Sequence, residues 1–377
     1  MKVLMVTPTY LPITGGAETA IQRLSIDLNS IGIQTDVMTF NMEQVWNAKW
    51  HGKTEISENG FRIFRIPGLN WLPIAHSNRI AMGVNLIPGR FSHVFADYDI
   101  IHFHIDLSFP LFSWFSKKSK IFHFHGWDGT LKRNFPSRFI LKHTGDIFIS
   151  LTKQMKTEIA ELGIAKEEKI ICLPNSVNPD AFYPFPEKKE RNLLLFIGRI
   201  TSGKGLHILL QSLQYLKTPV RLVIIGPADW DFTYFNHIQK FMQAENSKGK
   251  HKVEYIGRLE HRELVKWYQS ASILILPSTS YEAFPVVNLE ALSCETPVIA
   301  TKIGGVSEVV HSGENGLLVT PNSVAELANA IQCLLDDDAL RLKLGKEGRR
   351  QVLENYSNTV IVEKLRKIYE ELVESQP

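Results

Sequence analysis

Only three cysteines occur in 377 residues, Cys172, Cys294 and Cys333. An odd set, far apart and flanked by apolar residues, excludes a disulfide framework and a cysteine zinc site, and predicts reduced core thiols in a cytoplasmic protein. Nowhere does an apolar run approach the roughly 20 residues that span a bilayer. The N-terminal stretch Met1-Lys2-Val3-Leu4-Met5-Val6 lacks the features of a signal peptide and reads as a buried strand. Low-complexity segments and short-period repeats are absent. So is any G-x-G-x-x-G with an acidic residue about 20 positions later, which disfavours a nicotinamide-dependent dehydrogenase. The net charge is only +3, so total charge names no partner. With 44% hydrophobic and 21% charged residues the chain is an ordinary globular one. Its length exceeds what one core supports, so two domains are expected.

Two similar programmes run along the chain. The first starts with a strand at 2–7, passes the loop Thr14-Gly15-Gly16-Ala17-Glu18, and enters a helix with apolar Ile21, Leu24, Ile26 and Leu28. Strands follow at 34–40, 100–103, 121–125 and 147–151. Pro174, Pro179, Pro184 and Pro186, then the charged run Glu187 to Arg191, mark a linker. The programme restarts with a strand at 193–197, a glycine-rich turn and a helix at 206–216. Further strands are expected at 221–225, 253–256, 272–276, 297–300 and 317–319. Short apolar strands alternating with helices predict an α/β fold, two doubly wound parallel sheets covered on both faces. The expected domains are 1–180 and 181–357, with an amphipathic helix in 358–377 completing the first. Ligands of such sheets bind beyond the carboxyl ends of the strands, so both halves should aim their loops at a shared cleft.

The turn Gly198-Arg199-Ile200-Thr201-Ser202-Gly203-Lys204-Gly205 follows a strand and opens a helix. It nearly fits G-x-x-x-x-G-K-[ST], but Gly205 replaces the hydroxyl that would hold magnesium. The later strand at 273–276 ends in Pro277-Ser278, with no aspartate. An NTPase is therefore excluded. What survives is a close-approaching backbone with two cations, Arg199 and Lys204, a combination that suits a diphosphate without a metal.

The segment Tyr281-Glu282-Ala283-Phe284-Pro285-Val286-Val287-Asn288-Leu289-Glu290 follows next. Pro285 suits the first helical position. That leaves Glu282 in the loop above the helix and Glu290 past its first turn. Free N–H groups near Val286 would favour an anion. Because the helix is apolar nearly all round, a carboxylate within it needs partners, which ribose hydroxyls would supply. Alone, Glu282 also reads as a capping carboxylate.

Glu-x7-Glu after a Pro-Ser strand end, then Gly304-Gly305 and Glu308, resembles the retaining glycosyltransferase family 4 with the GT-B fold. Gly15-Gly16-Ala17-Glu18, Asp99 to His104, His123 to Gly126, Pro174-Asn175-Ser176-Val177 and Gly198-Arg199 extend the resemblance over almost the whole chain. It implies that Arg199 and Lys204 bind the donor diphosphate and stabilise it as leaving group. Glu290 would hold the ribose, and Glu282 the transferred sugar, aided by backbone N–H groups of Ala283, Phe284 and Val286. Gly15, Gly16 and Gly198 would let the backbone approach the phosphates, and His125 would lie near the anomeric centre. Pro285, where the family often has glycine, removes one donor N–H. The implied reaction is hexosyl transfer from a nucleotide-diphosphate sugar to a glycan or lipid-linked hydroxyl, in polysaccharide or glycoconjugate biosynthesis. A sugar-nucleotide epimerase and a catalytically silent binding subunit are the alternatives.

His102, His104, His123 and His125 alternate with phenylalanine, so each pair shares one strand face. Core or cleft histidines are expected there, with no metal ligand and no cofactor beyond the donor. His104, Trp127 and Asp128 are the acceptor-side candidates. Between Trp114 and Lys142 stand Lys117, Lys118, Lys120, Lys132, Arg133, Arg138 and Lys142, interleaved with Phe115, Phe135, Phe139 and Ile140. Such a face fits an anionic membrane on the inner side of the cell, or is a solvated basic rim. No nucleic-acid-binding motif accompanies it.

Overall fold

The structure is a computed structural model of the chain. It describes all residues except 14, 45–46, 49–52, 58, 67–91, 106–116, 127–134, 230 and 376–377. Trp127, Asp128, Trp114, Phe115, Lys132 and Arg133 lie outside the described residues. The chain divides into two compact units, Met1–Asn175 with Asn358–Pro377, and Ser176–Ser357. The division falls at 175/176, not 180/181, because Val177 pairs with Ser357 in an isolated bridge inside the second unit.

Besides a short antiparallel pair, Met42–Gln44 with Asn47–Ala48, the first unit carries β1 (Lys2–Val6), β2 (Gln34–Phe40), β3 (Lys53–Ile56), β4 (Arg62–Ile66), β5 (Ile100–Ile105), β6 (Ser119–Phe124), β7 (Ile147–Ser150) and β8 (Ile170–Cys172). These eight strands form one sheet in the order β8-β7-β6-β5-β1-β2-β4-β3, parallel except for the edge strand β3. Helix α1 (Gly16–Ser30) follows β1, and α2 (Phe135–Thr144) precedes β7. β3 and β4 escape sequence reading because KTEI and RIFRI mix charge with apolar residues at a sheet edge.

The second unit carries β9 (Leu193–Ile197), β10 (Arg221–Ile225), β11 (Lys252–Gly257), β12 (Ile273–Leu276), β13 (Val298–Thr301) and β14 (Gly316–Val319). Their order is β11-β10-β9-β12-β13-β14, parallel throughout. Every side chain of β9 and β12 is buried, as a sheet covered on both faces requires. Four helices matter below: α3 (Leu206–Leu213), α4 (His261–Ser270), α5 (Val286–Ser293) and α6 (Val324–Asp336). Cys294 is buried beyond α5, and burial pushes its thiol up to about 12. Cys333 corrects the expectation of core thiols. It is exposed, because buried Ile331, Leu334 and Leu335 take the inner face of α6.

The last helix, α7 (Asn358–Glu374), returns to the first unit. Its apolar face of Ile361, Val362, Leu365, Ile368, Tyr369 and Leu372 joins a core containing Ile21, Leu24 and Leu28 of α1. The i, i+3, i+4, i+7 spacing places those residues on one side of the helix.

Candidate active site

Strand order reverses in the second sheet between β9 and β12, the topological switch point where doubly wound sheets bind ligands. The turn after β9 and the loop after β12 meet there. Gly205 has φ +69°, and a Cβ on it would lie 1.9 Å from the Pro277 carbonyl oxygen. Only glycine allows that approach. The Gly203 carbonyl accepts the N–H groups of Thr279 and Ser280 at 2.9 and 3.2 Å, and Thr279 Oγ1 donates to the Ser202 carbonyl at 3.1 Å.

This seam sets Lys204 against Glu282. Lys204 Nζ stands 2.5 Å from Glu282 Oε1, and Ser278 Oγ donates to the same oxygen at 2.5 Å. Ser278 is held from behind, its carbonyl accepting Thr301 Oγ1 at 2.7 Å. The Glu282 carbonyl accepts the Gly305 N–H at 2.8 Å, and Gly304 (φ +52°) passes where a Cβ would come within 2.2 Å of that oxygen. Glu282 is therefore fixed through both backbone and carboxylate. Gly198 donates its N–H to the Ile225 carbonyl at 3.0 Å, and Arg199 is exposed beside it.

Pro285 corrects the sequence reading. It is the N-cap of α5, with φ −76° and ψ 102°, and its carbonyl accepts the Asn288 N–H at 3.1 Å. Val286 takes the first helical position. Ala283 is half-buried and Phe284 buried, its ring 6.0 Å from that of Tyr356. Glu290 is where the sequence places it, past the first turn and 3% exposed. The partners that offset its burial belong to the chain, a second correction. His261 Nε2 lies 2.7 Å from Oε1, and Tyr268 Oη donates to Oε2 at 2.8 Å. Sequence reading missed both residues and Ser278. The signal was the capping pair Glu260 and Glu263, whose carboxylate accepts the Glu260 N–H at 2.9 Å and so starts α4 at His261.

The first sheet reverses between β1 and β5. Gly15 caps α1 there with its carbonyl accepting the Thr19 N–H at 3.1 Å, and Gly16 is the first helical residue. His104 near the end of β5 and His125 just past β6 join through His104 Nδ1 and His125 Nε2 at 2.8 Å. With His102 and His123 they form a stack, neighbouring ring centroids 4.3 to 5.4 Å apart and planes 15° to 35° from parallel. His102 Nδ1 meets Tyr369 Oη at 2.7 Å, whereas neither nitrogen of His123 has a hydrogen-bond partner among the described residues. Burial holds His102 down at about 3 and His125 at about 4, and keeps His104 and His123 well below the ordinary imidazole value. Nitrogens of His102, His104 and His123 come within 4.8 Å of one another. An ion lies in the plane of each imidazole that binds it, and stacked planes share no such point unless the rings turn.

On the expected basic face, Lys117, Phe139 and Lys142 are exposed. Lys120 is a correction: it lies on β6 with its side chain buried, which lowers its pKa.

A description headed Glycosyltransferase Family 4 matches residues 14–181, and one headed Glycosyl transferases group 1 matches residues 178–351. A glycosyltransferase of Methanocaldococcus jannaschii, itself uncharacterized, is 28% identical over 99% of this chain and 99% of its own length. A D-inositol 3-phosphate glycosyltransferase of Pseudarthrobacter chlorophenolicus is 35% identical over 52% of this chain and 49% of that protein. Sucrose-phosphate synthase from Thermosynechococcus elongatus superposes with a TM-score of 0.80 at 21% identity, each chain covered in full. Anabaena HepE in complex with UDP and glucose gives 0.78 at 16% identity, over 98% of this chain and 100% of that one.

Proposed function

Since the chain belongs to glycosyltransferase family 4 and has the GT-B fold, we propose that it is a retaining enzyme transferring a hexosyl unit from a nucleotide-diphosphate sugar. The acceptor is a hydroxyl of a glycan or lipid-linked sugar, in cell-surface polysaccharide or glycoconjugate biosynthesis. The observation that carries this reading is the junction at the second switch point, where Lys204 and Glu282 are held 2.5 Å apart beside a glycine-rich turn. Relatives and structural neighbours bearing sugar-transferase names, and the UDP complex of HepE, support it.

Arg199 and Lys204 bind the diphosphate, Glu282 the transferred sugar, and Glu290 the ribose. Two carboxylates about 5 Å apart would permit double displacement. Here Glu282 is committed to Lys204 and Ser278, and Glu290 to His261 and Tyr268. Retention therefore proceeds by same-face substitution. The bond from the anomeric carbon to the phosphate oxygen breaks, the bond to the acceptor oxygen forms, and the acceptor proton passes to the departing phosphate. Cations fixed beside that phosphate lower the barrier, the task a metal performs elsewhere, so no metal is required. With EDTA present, NMR of early product should show the donor's anomeric configuration and undiminished turnover. An inverted product, or activity abolished by EDTA and restored by a divalent cation, contradicts this.

Lys117, Phe139 and Lys142 make the first unit a peripheral binder of anionic membrane. Flotation with phosphatidylserine vesicles should recover protein at low salt and lose it at high salt. No flotation under either condition contradicts membrane docking.

A further inference from the structure

Two groups hold the carboxylate of Glu282 by the same oxygen, and they differ in stiffness. Lys204 Nζ and Ser278 Oγ each lie 2.5 Å from Oε1, while Oε2 takes no hydrogen bond from the described residues. Facing an ammonium, Oε1 carries no proton, so the Ser278 hydroxyl donates and the carboxylate accepts. The lysine stands on a flexible four-carbon stem, half-buried, and in the proposed mechanism it also serves the leaving phosphate. Ser278 has a one-carbon stem and is fully buried. Its own carbonyl accepts the Thr301 hydroxyl at 2.7 Å, and Thr301 is buried at the end of β13. The Glu282 backbone is held as well, its carbonyl accepting the Gly305 N–H at 2.8 Å. What remains free is rotation of the Glu282 side chain. A buried hydroxyl tied to the sheet is the group that stops it.

We propose that Ser278 is a positioning residue for sugar recognition. It holds Oε1 at the junction, so that Oε2 is the oxygen offered to the transferred hexosyl unit, and it keeps that setting when Lys204 turns to the diphosphate. An ionised Oε2 only accepts, so the group it selects is a sugar hydroxyl that donates its proton. This rests on the reading that Glu282 binds the transferred sugar. Loss of the Ser278 hydroxyl lets the carboxylate rotate and weakens the grip on the hexose. The bare nucleoside diphosphate, held by the cations, is bound as before.

The test uses the full chain with Ser278→Ala and Thr301→Val. Titration calorimetry gives Kd for UDP, GDP and ADP, and for UDP-glucose, UDP-galactose, GDP-mannose and ADP-glucose. For whichever nucleotide binds, the ratio of bare to sugar-bearing Kd is what the hexose adds. Ser278→Ala should cut that ratio about 5-fold, the net worth of one hydrogen bond, while Kd for the bare diphosphate moves less than about 2-fold. Thr301→Val should cut the same ratio by about 2-fold and likewise spare the bare diphosphate. Among the 2-, 3-, 4- and 6-deoxy forms of the bound hexose, one should bind wild type and Ser278→Ala equally, since the contacted hydroxyl is gone. An equal loss for bare and sugar-bearing nucleotide, or no loss, overturns the role of Ser278 while the reading of Glu282 stands. A wild type that binds a diphosphate but gains nothing from any hexose overturns the reading of Glu282 and this inference together. Binding of none of these nucleotides overturns the donor site itself.

Discussion

Replacing Lys204 by alanine should lower kcat/KM at least about 100-fold, the size seen when one fixed donor to a developing negative charge is removed. Lys204 is placed by backbone geometry, since Gly205 must pass against Pro277 and Gly203 must accept from Thr279 and Ser280. In the proposed mechanism its ammonium is thus already fixed where the leaving phosphate gains charge. The substitution also removes a partner of Glu282, leaving Ser278 alone on Oε1 of a carboxylate that is 8% exposed. A fully buried pair broken in this way costs about 3–5 kcal/mol. The Lys204 side chain is 23% exposed, so water moderates the loss to about 1–2 kcal/mol. Turnover and urea unfolding measured on the same preparation separate the two effects. A folded variant with near-normal turnover contradicts the assigned role.

Acid should destabilise the first unit by several kcal/mol between pH 7.5 and pH 5. In the unfolded chain His102, His104, His123 and His125 take up protons as pH falls through about 6.5. In the folded chain burial holds His102 at about 3 and His125 at about 4, with His104 and His123 also well below the ordinary value. Lowered folded-state values mean that the unfolded state binds more protons throughout this window. The stability is thus fully present above about pH 6.5 and is lost progressively toward the folded values. At pH 5 each histidine contributes a loss of roughly 2 kcal/mol. Urea titrations followed by circular dichroism at pH 7.5, 6 and 5 measure the slope. His123→Leu should reduce it by one histidine's share. A stability unchanged down to pH 5 contradicts a neutral, buried stack.

Much of this was legible in the chain because apolar runs and glycine turns are local signals. Residues 34–40, 193–197 and 221–225 read as strands with their observed bounds, since each is buried along its length apart from the first residues Gln34 and Arg221. The edge strand Lys53–Ile56 and its neighbour Arg62–Ile66 were not legible, because charged residues alternate with apolar ones and leave no continuous apolar run. The site divided in the same way. Arg199, Lys204, Glu282 and Glu290 stand out as charges inside turn and helix motifs. The neighbours that fix them do not: Ser278 lies 4 positions from Glu282 but meets it only through the loop fold, and His261 lies 29 from Glu290. Pro285 misled for a physical reason, since proline's fixed φ suits the N-cap as well as the first helical position. His123 shows the same limit: strand alternation gives its face, while stacking depends on a neighbouring strand in register, His104 opposite His123.

The central claim is that the junction of the glycine-rich turn with Glu282 and Glu290 receives a nucleotide-diphosphate sugar without metal. Thermal unfolding with EDTA and millimolar UDP-, GDP- or ADP-sugar tests it directly. Ligand at about 100 times Kd adds about 2.7 kcal/mol, so one nucleotide class should raise the midpoint by several degrees, and Lys204→Ala should erase the rise. No shift with any of the three, or an equal shift in that variant, would contradict the account.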